Sequence, residues 1–278
     1  MRNKTQVPFT VFKIGYLILF LIFTVFPLYW ITITSLKPQN EIFTVPARYW
    51  PETLTFENYR NIFEISRFHV YISNSLLVSA LASLCVLVIS ILSAYVLARY
   101  HFRGKKQVML AFFMTQMIPI FIALVPLYRI MGQLELTNRL ASLILMYTVM
   151  MIPFSTIMLK GFFERIPGSL EEAAIIDGCT HLQALRRVII PVMLPGIAAT
   201  FIFSFVQCWN ELFLSVMFID NEASKTVPVA MNSFITKYDI DWGAMSAATV
   251  LSVIPTFVLF ALAQRFIVEG LTDGAVKG

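Results

Sequence analysis

Six stretches of the chain are almost wholly apolar, and the polar residues collect between them. A bilayer-spanning helix needs about 20 such residues, and the stretches fall at roughly 12 to 34, 72 to 98, 108 to 128, 140 to 160, 194 to 218 and 246 to 268. Each predicts a transmembrane helix, so the expected fold class is an all-α integral membrane protein with six spans. The first stretch follows Arg2, Lys4 and Lys13 as the apolar part of a signal peptide would. It is too long for that, and no small-residue cleavage site follows it, so it reads as a retained helix. Neither a repeat nor a low-complexity tract interrupts the pattern, which predicts one membrane domain over 1–278.

Six spans put both termini on one side, and basic residues choose that side. Arg99, Arg103, Lys105 and Lys106 share a short loop with no acid. Together with Lys160, Arg165, Arg186 and Arg187, they predict cytoplasmic termini in a cell (inner or plasma) membrane. Two longer external segments follow, about 35 to 71 and 219 to 245. In the first, Tyr59, Ile62 and Phe63 have helical spacing and predict a short helix on the outer face.

Within the spans, Ser75, Ser79, Ser83, Ser90 and Ala94 form a small-residue stripe suited to close helix packing. Pro27, Pro119, Pro126, Pro153 and Pro255 predict bends. Gln207, Asn210 and Glu211, at i, i+3 and i+4, are expected on one face of the fifth span. Two readings stand for them: a polar lining for a hydrophilic solute, or an interfacial carboxylate tying a loop to a neighbouring helix. Gln116, inside the third span, has the same two readings.

Composition narrows the function classes. Of 278 residues, 58% are hydrophobic and 13% charged, against about 45–50% and about 25% in soluble domains, which excludes an ordinary soluble globule. The net charge of +5 serves topology here, so no nucleic-acid partner is expected. Cys85, Cys179 and Cys208 form neither a disulfide framework nor a metal spacing. The chain of intramembrane acids and bases that an ion-driven carrier usually needs is missing. The phosphate-cradling glycine-lysine loop is missing too, so ATP is not bound by that route. His69, His101 and His181 lack metal-ligand spacing, and no nucleophile context exists; an enzyme and a cofactor in this chain are not expected.

The segment 161–193 carries the strongest local signals. Ser169 followed by Glu172 predicts a capping box opening a helix, and Gly178 is placed to stop that helix in the left-handed conformation. Thr180 and Gln183 repeat the capping pattern. They open a second helix with Leu182, Leu185, Val188 and Ile189 as its apolar face and Pro191 as its end. The low surface at Ala173 and Ala174 suits docking of another protein; a stable loop without a partner explains the same caps.

The run Glu172-Ala-Ala-Ile-Ile-Asp-Gly178, then Ile190-Pro191 and Leu194-Pro195, resembles the EAA loop of ABC importer permeases, with Cys179 where alanine is usual. Asn74-Ser75-Leu76, Trp209-Asn210-Glu211 and the tail Phe266-Ile-Val-Glu-Gly270-Leu-Thr-Asp-Gly-Ala-Val-Lys-Gly278 resemble the carbohydrate branch, the group of the smaller permease of the maltose-type transporter. The resemblance implies a type I importer fold and a sugar or oligosaccharide substrate. It also implies a heterodimeric second permease, two ATPase subunits that bind the ATP, and an extracellular or periplasmic solute-binding protein. Coupling to the ATPase would fall to Glu172, Ala173, Ala174, Asp177, Gly178, Pro191 and Pro195. The tail, 269–278, would reach between the ATPase subunits. An ion-coupled sugar carrier and a membrane anchor or assembly subunit are the alternatives.

Overall fold

The computed structural model describes residues 6–235 and 240–275, with side chains described for 12–235 and 240–264. The side chains and contacts of the tail at 269–278 therefore lie outside the described residues. Among the described residues the chain is helical, and its one extended pairing is the isolated bridge between Ile235 and Ile240. The helices are α1 Gln6–Ser35, α2 Gln39–Ile42, α3 Glu57–Glu64, α4 Phe68–Arg99, α5 Lys105–Met117, α6 Ile120–Gln133, α7 Leu140–Arg165 and α8 Gly168–Ile176. They continue with α9 His181–Ala184, a π turn Leu185–Ile189, α10 Ile190–Val192, α11 Leu194–Trp209, α12 Phe213–Phe218, α13 Val227–Asn232 and α14 Trp242–Ala275. Among the described residues four single helices are long and apolar enough to cross a membrane, at Phe12–Ser35, Phe68–Arg99, Leu140–Arg165 and Trp242–Gln264.

Two of the six apolar stretches are not straight spans. The third breaks at Ile118 and Pro119, where both residues are extended, and α5 and α6 diverge by 99°. Proline restricts the residue before it to extended backbone, so the helix stops at Met117. The fifth stretch ends as a helix at Trp209, with Asn210 as its C-cap, and resumes as α12. Gln207, Asn210 and Glu211 consequently do not share one helix face, which corrects the sequence expectation.

Two compact units divide the chain: 1–69 with 231–254, and 70–230 with 255–278. In the first, α1 exposes apolar side chains along most of its length, as hydrocarbon contact requires. Its end is tied to the segment that follows it. Asn58 of α3 donates to the carbonyls of Ser35 and Lys37, at 2.9 Å each, and the Ser35 and Tyr59 hydroxyls bond at 2.8 Å. The predicted short helix is present as α3, with Ile62 buried and Phe63 exposed.

In the second unit the serine stripe of α4 packs inward: Ser75, Ser79, Ser83, Ser90 and Ala94 are all buried. Two apolar clusters sit on it. One joins Val78 and Ala82 to Met146, Tyr147, Cys208, Leu214 and Phe218. The other joins Ala94 and Tyr95 to Leu159, Phe163, Leu185, Ile189 and Met193. At its edge, Gly196 lets α11 approach α7 so closely that a β-carbon there would lie 2.5 Å from the Phe162 ring.

Candidate functional site

The second cluster seats the helical element predicted at 161–193, with different contacts from those expected. Helix α8 begins after Pro167 with no side-chain cap, so Ser169 and Glu172 do not form the predicted capping box. Proline before the first turn and the Leu170 amide bonding the Pro167 carbonyl at 3.2 Å start the helix instead. The inward face carries Glu171 and Ala174, and the outward face Glu172, Ala173, Ile175 and Ile176. Ala174 is therefore spent on internal packing and only Ala173 offers a low outer surface.

The end of α8 matches expectation. Gly178 has φ +89°, the Gly178 amide bonds Ile175 at 2.9 Å and the Cys179 amide bonds Ala174 at 3.0 Å. This is the paired Schellman bonding that a glycine beyond the C-cap permits. Asp177 is the exposed C-cap. The second capping box is present: Thr180 Oγ1 accepts from the Gln183 amide at 3.3 Å, and Gln183 Oε1 accepts from the Thr180 amide at 2.8 Å. Leu185 and Ile189 are buried and Val188 half-buried, whereas Leu182 is 67% exposed and not part of the inward face.

Pro191 does not end the helix. It stands in the first turn of α10, directly after the π turn, and the helical path bends by 80° between Val192 and Leu194. The run His181–Val192 is uninterrupted, with the π turn directly ahead of Pro191, and it ends one residue after the proline. Pro195 occupies the equivalent place in α11.

Glu171 is the centre of the element, only 7% exposed. Its carboxylate accepts a short bond from the Tyr95 hydroxyl, lies 3.2 Å from Arg99 Nε, and lies 3.5 Å from His181 Nδ1. Arg99 also donates from Nη2 to the Ile166 carbonyl at 3.0 Å. Tyr100 stacks edge-on against both Tyr95 and His181. The arrangement ties α8 to the end of α4 through a buried anion that accepts from the Tyr95 hydroxyl and pairs by charge with Arg99, whose Nε makes no hydrogen bond of its own. Sequence reading passed over Glu171 in favour of Glu172. Tyr95 and Arg99 at i and i+4 on the end of a span were the available signal.

A second carboxylate site sits in the first cluster. Glu211, half-buried, accepts from the Leu214 amide at 3.0 and 3.1 Å, from the Ser215 amide at 3.3 Å and from the Tyr147 hydroxyl at 2.9 Å. It thus caps α12 and ties the break after α11 to α7. Asn210 is exposed and donates to the Val206 carbonyl at 2.9 Å, while Gln207 and Gln116 are exposed. The structure does not bring Gln116 together with the other three. Among the described residues no cluster of His, Cys, Asp or Glu could hold a metal.

These features agree with known proteins. The profile of the family described as binding-protein-dependent transport system inner membrane component matches residues 86–272. The diacetylchitobiose uptake system permease protein DasC of Streptomyces coelicolor is 40% identical over 91% of this chain and 92% of its own length. The trehalose transport system permease protein SugB of Mycobacterium tuberculosis is 34% identical over 92% and 93%. Among solved structures, a bacterial ABC transporter involved in the import of the acidic polysaccharide alginate superposes with a TM-score of 0.80 at 19% identity, covering 95% of this chain and 98% of that one. The alginate ABC transporter in complex with an alginate pentasaccharide-bound periplasmic protein gives 0.68 at 18% identity, over 94% and 93%. With the profile covering more than half of the chain and relatives above 30% identity covering about nine tenths of it, the chain belongs to the inner-membrane permeases of binding-protein-dependent ABC transporters, which are transport components and not enzymes.

Proposed function

We propose that this permease imports a sugar or oligosaccharide, as the names of its relatives suggest, and is driven by ATP hydrolysed in partner subunits. It pairs with a second, different permease, receives substrate from an extracellular or periplasmic solute-binding protein, and docks two ATPase subunits through 161–193. On this reading 1–278 is one membrane domain with both termini cytoplasmic, and the tail 269–278 approaches the ATPases. The ATP belongs to the ATPases and the chain itself holds no cofactor.

The observation that carries the reading is the helix pair α8 and α9, closed on the inside and open on the outside. Glu171 and Ala174 lock it to the protein, while Glu172, Ala173, Ile176 (85% exposed) and Leu182 stand outward. An apolar knob beside a carboxylate and a small residue fits a partner's cleft. Asp177 and Gly178 set the turn, and Pro191 and Pro195 set the bends that pass motion into α11. Gln116, Gln207 and Asn210 are exposed and suit a pathway lined jointly with the second permease, with Glu211 holding the α11–α12 break behind them.

Gly178→Val tests the coupling role, because a branched residue at positive φ costs about 1–2 kcal/mol locally. The variant should insert normally yet lose ATPase co-purification or uptake, whereas Gln183→Ala should leave both nearly intact. Full uptake with normal ATPase binding in Gly178→Val would remove the coupling role. An ion-coupled carrier would purify without any ATPase, and an anchor subunit would show no uptake dependence.

A further inference from the structure

A cavity outside both carboxylate sites carries a different chemistry. It has a volume of about 730 Å³ and lies between the loop before α5, the first turns of α5 and the end of α7. Its polar rim is cationic: Lys105, Lys106 and Lys160 line it together with His101, and no acid does. Lys160 is paired with Glu164 at 2.5 Å and Lys105 donates to the Tyr100 carbonyl at 3.3 Å. Lys106 is exposed.

The remaining wall is apolar in a directional way. Lys106, Met109, Leu110 and Phe113 follow at i, i+3, i+4 and i+7, so they form one stripe of α5. From the cation to Phe113 the stripe runs about 10 Å, a depth contained in one leaflet of a hydrocarbon core about 30 Å thick. Leu110 and Phe113 are about half exposed. A positive rim above an apolar trough that descends along a membrane helix complements one kind of molecule. Its headgroup must be anionic and its tail must follow the stripe.

We infer that this cavity binds an anionic phospholipid of the leaflet facing α8 and α9, the phosphate at Lys105 and Lys106 and an acyl chain along Met109, Leu110 and Phe113. Basic pockets between membrane helices bind lipid headgroups by the same combination of charge and shape. Gly104, which lines the cavity, turns the chain at φ +93° into α5 and so places Lys105 and Lys106 in the first turn of the helix, whose positive dipole end favours an anion. The inference rests on the cytoplasmic placement of this loop in the importer reading, since the cytoplasmic leaflet is the anionic one.

The test uses the complete importer purified in mild detergent with an equal mixture of phosphatidylglycerol and phosphatidylcholine, the retained lipids being counted by native mass spectrometry. Wild type should prefer phosphatidylglycerol, and Lys105→Gln and Lys106→Gln should each lower that preference about fivefold. Leu110→Trp, which fills the trough, should lower retention of both lipids while ATPase co-purification reports an intact fold. An unchanged preference in the double lysine variant would overturn the site. So would displacement of phosphatidylglycerol by millimolar inorganic phosphate, which would mark a soluble-anion site. Loss of the ATPase from the lysine variants with lipid preference retained would overturn it as well, by assigning the face to a protein partner. If wild type carried no ATPase at all, the importer reading would fail, while lysine-dependent lipid selection would still support the cavity.

Discussion

Two glutamates in the same unit are each held by a tyrosine from a neighbouring helix, yet they are built for opposite purposes. Glu211 meets Tyr147, and its other partners are backbone amides three and four residues ahead in its own chain. Glu171 meets Tyr95, and its other partners are Arg99 and His181, on different elements. A carboxylate satisfied locally stays satisfied when helices shift, so Glu211 stabilises a fixed break between α11 and α12. A carboxylate satisfied only by tertiary contacts transmits any displacement of α8 to the end of α4. The difference separates a scaffold from a joint.

The largest effect expected from this contrast is that of Glu171→Ala. It leaves the mostly buried Arg99 guanidinium without its carboxylate and removes the acceptor of the Tyr95 hydroxyl. Removing one partner of such a pair costs about 3 kcal/mol. Thermal unfolding of the purified complex should show the loss, and uptake should fall further than ATPase binding does. Glu171→Gln, which keeps an acceptor for Tyr95, should recover part of the stability but not full coupling. If Glu211→Ala uncoupled hydrolysis as strongly as Glu171→Ala, the contrast between joint and scaffold would collapse.

Close packing beside the joint gives the next effect. Gly196→Ala would drive a β-carbon into the Phe162 ring at 2.5 Å, and overpacking of this kind costs about 2 kcal/mol. Because Phe162 borders the cluster that seats Leu185 and Ile189, the variant should also weaken ATPase co-purification. Gly196→Ala combined with Phe162→Leu should restore it. A wild-type melting point for Gly196→Ala alone would show that α7 and α11 separate freely.

Much of this contrast was legible in the sequence, though unevenly. Apolar runs longer than a soluble helix needs gave the spans, and the serine stripe gave the packed face of α4. Gly178 and Thr180 with Gln183 were readable because a turn and a cap are decided by neighbours in sequence. The 99° break at Pro119 was flagged by the proline but not resolved into two helices, since membrane helices often continue through proline. Glu171 was missed because its value comes from Tyr95 and Arg99, more than 70 residues away. Glu211 was noticed as polar, but the end of the helix at Trp209 depends on tertiary contacts that periodicity does not register.

A smaller loss is expected at Glu211 itself. In Glu211→Gln one amide oxygen can still accept from the α12 backbone or from Tyr147, so only part of a capping arrangement is lost. Such losses cost about 1 kcal/mol. Tyr147→Phe should cost about as much, and the double variant should cost less than the sum, because the two side chains share one bond. Additive losses would mean that the tyrosine acts on α12 by packing alone.

The smallest effect belongs to a third pair of the same kind, on the segment between α12 and α13. Glu222 accepts from the Tyr71 hydroxyl at 2.8 Å and from the Lys225 ammonium, and its side chain is 72% exposed. Lys225 first and Tyr71 second hold its carboxyl below the usual glutamate value of 4.5. A carboxylate with a depressed value in the folded state adds stability above its unfolded value, and that stability is lost as pH falls through the folded one. Solvent screens an exposed pair, so the amount is small. Melting of the complex should therefore show a shallow decline that begins below about pH 4.5 and is smaller in Lys225→Gln, where the Glu222 carboxyl retains only Tyr71 and its folded value rises back toward the usual one. The Glu222→Gln variant should lose that part of the decline. An unaltered acid profile in both variants would show that the Tyr71 contact sets nothing but side-chain position, and that among the three glutamates only burial gives the pairing energetic weight.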